Sequence, residues 1–93
     1  MIRSFADTDT ERSYTTGKSR RLPTEIRTRA AMRLMQLNAA NRIGDLHLPP
    51  SNRLEALKHD RARQWSIRVN DQWRVCFRFS NGDAWDVEIM DYS

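Results

Sequence analysis

At 93 residues, with 16 basic against 12 acidic side chains and a net charge of +4, the chain is expected to form a single domain over 1–93 with one modest core. Fourteen of the 16 basic residues are arginine, which grips phosphate bidentately and stacks on bases, so the composition favours RNA or another polyanion as a partner. One cysteine, Cys76, excludes an internal disulfide, no apolar run is long enough to span a membrane, and the N-terminus lacks a signal peptide's apolar region; the chain reads as cytosolic.

In chain order, Met1–Phe5 is a short strand candidate. Thr8 with Glu11 forms a potential capping box that opens a helix through about Tyr14, and Gly17 suits its exit. A basic linker, Lys18 to Arg21, ends at Leu22-Pro23. The longest predicted helix runs from Thr24 to about Ala40, with Ile26, Ala30, Leu34 and Leu37 as its core stripe and Met32 and Met35 widening the apolar face. Gly44-Asp45 and Leu48-Pro49-Pro50-Ser51 are loop signals. His47, His59 and Cys76 make no metal-ligand spacing, so no metal or other cofactor is expected. An arginine-rich genome would also give a basic chain, but the charge is not spread evenly. Residues 12–42 carry eight basic groups against Glu25 alone, whereas 79–93 carry four acids and no base.

The second half alternates apolar and polar residues with the period of strands. One parity holds Trp65, Ile67 and Val69, then Trp73, Val75, Phe77 and Phe79, then Trp85, Val87 and Ile89. The other holds Arg68, Arg74, Arg78, Asp86, Glu88 and Tyr92. Around Asn70-Asp71-Gln72, parity pairs Ile67 with Val75 and sets Arg68 beside Arg74. At Ser80-Asn81-Gly82, a two-residue turn would put Asp86 opposite Phe77 on the apolar face. A three-residue loop with Gly82 left-handed is therefore preferred; it pairs Phe77 with Trp85, Val75 with Val87 and Arg74 with Glu88. The resulting fold class is α+β: two N-terminal helices on the apolar face of a small antiparallel-rich sheet, with the arginine-lined face left open. Cys76 lies on the polar parity and reads as an inert thiol.

The run from Leu54 to Tyr92, with Ser66-Ile67-Arg68-Val69-Asn70-Asp71-Gln72-Trp73-Arg74 and the terminal Asp91-Tyr92, resembles the HigB branch of the RelE/ParE toxin superfamily. The opening Met1-Ile2-Arg3-Ser4-Phe5 and the placement of helix, Gly and Pro after it extend the resemblance over essentially the whole chain. It implies a RelE-like fold, a small toxin that cuts mRNA on the ribosome, and a helix-turn-helix, HigA-like antitoxin through which alone operator DNA would be met. No membrane is implied.

Metal-free RNA cleavage requires the 2′-hydroxyl to be held in line, its proton removed, the phosphorane charge stabilised and the 5′-oxygen protonated. Glu55, Lys58, Arg68, Arg74, Asp91 and Tyr92 are residues of the right types, and each also has a plain reading. Glu55 and Lys58 read as an exposed pair beside a strand, Arg74 as a cross-strand partner of Glu88, Tyr92 as a packing cap. The resemblance assigns Lys58, Arg74, Asp91 and Tyr92 to active-site positions, and places Glu55 where better-known members carry His. Arg53, Arg68 and Arg78 are then expected RNA contacts. Ser93 stands where most members carry a terminal His, which removes a general acid. A catalytically weakened binding module and a ParE-like gyrase poison are the alternatives.

Overall fold

The computed structural model describes residues 1–92, with helices α1 (Thr8–Thr16) and α2 (Thr24–Ala39) preceding a four-stranded antiparallel sheet. Its strands are β1 (Glu55–Ala56), β2 (Gln64–Arg68), β3 (Trp73–Ser80) and β4 (Asp83–Asp91), adjacent in chain order. The expected α+β architecture is the one that forms. Ser93, and with it the reading of the chain's last position, lies outside the described residues.

Asp7 takes the capping role expected of Thr8: its carboxylate accepts from the Thr10 backbone N–H at 2.6 Å. A carboxylate there also complements the helix dipole. The Thr10 hydroxyl, buried, accepts instead from the backbone N–H of Ile89 at 2.9 Å and pins α1 to β4. Gly17, at φ 72°, closes the helix. On α2 the stripe of Ile26, Ala30, Leu34 and Leu37 is buried as its spacing predicts, but Met32 and Met35 are 50% and 63% exposed. At about 100° per residue they fall on the side away from the stripe, whereas Arg33 falls beside it and is buried. The methionines do not widen the core face.

The N-terminal segment makes two parallel bridges along the outer edge of β4, Ile2 with Ala84 and Phe5 with Val87. The β2–β3 register is the predicted one, with Ile67 opposite Val75 and Arg68 opposite Arg74. The β3–β4 register is not. Asn81 and Gly82 form the two-residue turn, at φ 53° and 81°, and pair Ser80 with Asp83. Gly82 is required twice over, since a Cβ there would also lie 3.1 Å from the Asn41 carbonyl. The difficulty of placing Asp86 on the apolar face is removed by a β-bulge. Asp86 takes φ 54°, and the register shifts between Cys76 and Arg78. Its backbone N–H is held by the Ser4 hydroxyl at 2.8 Å and its carboxylate by Arg78 at 3.2 Å.

Two consequences follow for the faces. Val87 and Ile89 still reach the core, but Trp85 pairs with Arg78, opposite the apolar face, and is 41% exposed, while small Ala84 is buried in its place. Arg74 faces Met90, not Glu88, which pairs instead with Cys76. The core lies between α2 and the sheet: Ile26, Ala30, Leu34 and Leu37 against Ile67, Val75, Phe77, Val87 and Ile89. No helix among the described residues is long and apolar enough to cross a membrane.

Candidate functional site

The sheet face turned away from the helices carries Ser66 and Arg68 from β2, Arg74 and Cys76 from β3, and Glu88 and Met90 from β4. Glu55, paired with Ser66, adds a carboxylate at the β1 edge. An open cleft of about 530 Å³ lies on this face, lined by Arg53, Glu55, Arg68, Asn70, Asp71, Arg74 and Tyr92.

Arg74 is the centre of its construction. Its Nε donates to the Ser66 hydroxyl at 2.8 Å, and Nη2 donates to the Arg53 carbonyl at 2.7 Å and the Ser66 carbonyl at 3.4 Å. All three acceptors are neutral. The guanidinium is therefore fixed in place with no ion-paired carboxylate among the described residues, since Glu88, the carboxylate expected opposite it, is bound at 3.3 Å by Arg61. Arg53 reaches the cleft because it closes the Pro50–Asn52 turn in the left-handed region, at φ 44°. Buried Asn52 holds that turn by donating to the Leu46 and Leu48 carbonyls at 3.1 and 3.3 Å. Arg68 forms an ion pair with Asp71, so the two opposed arginines differ in kind: among the described residues one is ion-paired and the other is not. Asp71 being so engaged, Glu55 is the lining carboxylate without an ion pair among the described residues.

Tyr92 extends the β4 edge, donating its backbone N–H to the Gln72 carbonyl at 2.6 Å. Its hydroxyl lies 3.7 Å from the Cys76 thiol, and the ring remains 44% exposed. Burial, then the hydrogen bond with Cys76, pushes the Tyr92 phenol above its ordinary range. Burial likewise raises the Cys76 thiol, although the hydrogen bond with Tyr92 opposes it. Both groups hold their protons at neutral pH; Cys76 is not a thiolate nucleophile, and Tyr92 is available as a proton donor or stacking surface.

Of the predicted site residues, the cleft brings together Arg53, Glu55, Arg68, Arg74 and Tyr92, and its lining does not include Lys58, Asp91 or Arg78. Lys58 is exposed ahead of the short turn His59–Arg61. Asp91 pairs with Trp73 across the sheet and accepts from Gln72 Nε2 at 3.0 Å. Arg78 is exposed and ion-paired with Asp86. Sequence reasoning missed Asn70 and Asp71, which read only as turn formers, and Ser66, whose place on the parity of Arg68 was the available signal. Among the described residues, no cluster of His, Cys, Asp and Glu is arranged to hold a metal ion.

Comparison with known proteins bears on the whole of this arrangement. The family model for RelE-like toxins of the type II toxin–antitoxin system HigB matches residues 3–92. The chain is 35% identical over 92 residues to "Endoribonuclease HigB" of Proteus vulgaris, covering 99% of each chain. It is 38% identical over 85 residues to "Toxin HigB-1" of Vibrio cholerae, covering 90% of each. An uncharacterized protein of Haemophilus influenzae is 32% identical over 90 residues, 96% of this chain and 89% of that one.

Proposed function

The chain belongs to the HigB-like family of RelE-like toxins of type II toxin–antitoxin systems, and on that premise we propose that it is an endoribonuclease cutting ribosome-bound mRNA by 2′-hydroxyl attack, without a metal ion. The observation that carries this reading is the cleft on the open sheet face, where Arg53, Arg68 and Arg74 surround Glu55 and Tyr92. Glu55 accepts the 2′-hydroxyl proton as the oxygen attacks phosphorus. The P–O5′ bond breaks, leaving a 2′,3′-cyclic phosphate, and the Tyr92 phenol protonates the departing 5′-oxygen. Arg74, held by neutral acceptors, stabilises the phosphorane charge, and Arg53 and Arg68 hold flanking phosphates.

Lys58 and Arg78 contact the RNA backbone beyond the cleft. Asp91 acts through Gln72: that residue donates to Asp91 from its side chain and accepts the Tyr92 N–H at its carbonyl, so the pair sets the position of Tyr92. An exposed carboxylate and a phenol are weak proton-transfer groups without histidine. The substrate must therefore be ordered by something else, and the ribosome fills that role.

A type II toxin has an antitoxin partner. In this reading it is a helix-turn-helix, HigA-like protein that covers the basic helical side, and operator DNA is reached through it. The experiment is primer-extension mapping of mRNA ends after induction, beside incubation of purified protein with naked RNA and with programmed ribosomes in EDTA. Cuts confined to the ribosomal arm support the proposal; robust cleavage of naked RNA overturns ribosome dependence. Growth arrest without cuts but with gyrase-trapped DNA breaks would identify a gyrase poison. Antitoxin binding with neither would identify a binding module.

A further inference from the structure

Arg33 lies on α2, outside the cleft, yet is only 7% exposed. A buried guanidinium is normally matched by a carboxylate, because desolvating the charge is costly. Here the acceptors are neutral. Nε donates to the Arg68 carbonyl at 2.9 Å, Nη1 to Gln36 Oε1 at 3.4 Å, and Nη2 to the Ser51 hydroxyl at 3.3 Å. Burial and the nearby guanidiniums of Arg29 and Arg68 lower its pKa from the ordinary value. One turn earlier on the helix, Arg29 donates to the Val69 carbonyl at 3.3 Å.

These contacts join the two sides of the cleft. The Arg68 and Val69 carbonyls close β2 immediately before Asn70 and Asp71, which line one wall. Ser51 sits in the Pro50–Asn52 turn, whose C-cap Arg53 forms the other. Arg74 links β3 to the second of these walls through the Arg53 carbonyl. Arg33 joins the two walls from outside the lining, through the Arg68 carbonyl and the Ser51 hydroxyl.

We propose that Arg33 is a positioning residue for the cleavage reaction: one buried guanidinium sets the separation of the Arg53 and Arg68 walls and thereby aims Arg74 at the phosphate. A neutral pairing suits this task. The Arg68 carbonyl and the Ser51 hydroxyl lie on two different segments, so one guanidinium that donates to both is a tie between them. A displacement of about 1 Å at a reacting group can cost about 100-fold in rate, so a tie remote from the chemistry has leverage.

The inference rests on the RNase reading, and its test has one arm that does not. Arg33→Lys keeps the charge and can reach one acceptor but cannot fork to both. Ser51→Ala, at an exposed residue, removes the second anchor alone. In the free protein, the Arg74 Nε–Hε NMR signal is expected to shift and exchange faster in both variants. On programmed ribosomes, Arg33→Lys is expected to lower the maximal single-turnover rate about 10- to 100-fold without moving half-saturation. Ser51→Ala gives a smaller loss and adds nothing in the Arg33→Lys background. A merely structural role would reduce the fraction of active molecules, hence the amplitude, and leave the rate unchanged. Wild-type rates in the variants, or additive losses in the double variant, overturn the inference. If the wild type leaves ribosome-bound mRNA intact, the RNase reading fails, and an unmoved Arg74 signal would then remove the tie as well. Should Arg33→Lys not fold, Ser51→Ala against wild type decides, a static Arg74 signal and an unchanged rate refuting the tie.

Discussion

Removing the Arg74 guanidinium tests whether its charge is there for a phosphate. In Arg74→Ala the Ser66 hydroxyl, fully buried, loses its donor at 2.8 Å, and the Arg53 carbonyl loses its donor at 2.7 Å. Hydrogen bonds to a charged group are each worth about 1.5–3 kcal/mol net. The Arg53 carbonyl sits at an exposed turn and regains water, so the folded state should lose about 2 kcal/mol. A small domain with about 5 kcal/mol to begin with keeps about 3, and more than about 99% of molecules stay folded. Loss of a preorganised transition-state contact is typically about 10²–10³ in rate, or about 2.7–4 kcal/mol. The two effects can therefore be separated. Single-turnover cleavage on programmed ribosomes, with the folded fraction measured by thermal unfolding, should show a rate loss that the folding loss cannot explain. Arg74→Lys, which keeps the charge but not the fork, should fall between. If Arg74→Ala cleaves within about threefold of wild type, the guanidinium is a structural brace for the Pro50–Asn52 turn, and the assignment of the cleft collapses.

Asp71→Asn removes the carboxylate that competes with RNA phosphate for Arg68, so RNA affinity should rise; an unchanged affinity in filter binding would mean that Arg68 does not meet RNA. Gly82→Ala meets both a left-handed φ and the Asn41 carbonyl at 3.1 Å, and should lower stability by about 1–3 kcal/mol in urea titration, with the midpoint unmoved if the turn can rearrange. Cys76 and Tyr92 both hold their protons more tightly when folded than when unfolded. Their contribution to stability is thus complete below the ordinary thiol range and lost as pH rises through the raised folded values. Urea midpoints should therefore fall above about pH 8.5 in wild type and less in Cys76→Ala; parallel curves would refute the coupling. At pH 8 Cys76 should react slowly with a thiol reagent and faster in Tyr92→Ala, which uncovers it.

Local periodicity was enough to write the helices, the β2–β3 register and the two faces of the sheet, because each depends on neighbours within a few residues. Ile26, Ala30, Leu34 and Leu37 declare one helical face, and Ile67 must meet Val75 once Asn70 opens a turn. The candidate site was partly legible for the same reason: Arg68 and Arg74 share a parity with Tyr92, and the sheet brings all three to the cleft. The β3–β4 register was not, since the two-residue turn becomes acceptable only through a bulge at Asp86. That bulge is held by Ser4 from the other end of the chain. Parity counting assumes an unbroken strand, and one extra residue carried Trp85 to the open face. Which arginine is neutralised also lay beyond sequence. Among the described residues Arg61 takes Glu88, Asp71 takes Arg68, and Arg74 donates to neutral oxygens. Pairings of charges depend on distances across the fold, and alternation along a strand carries no record of them.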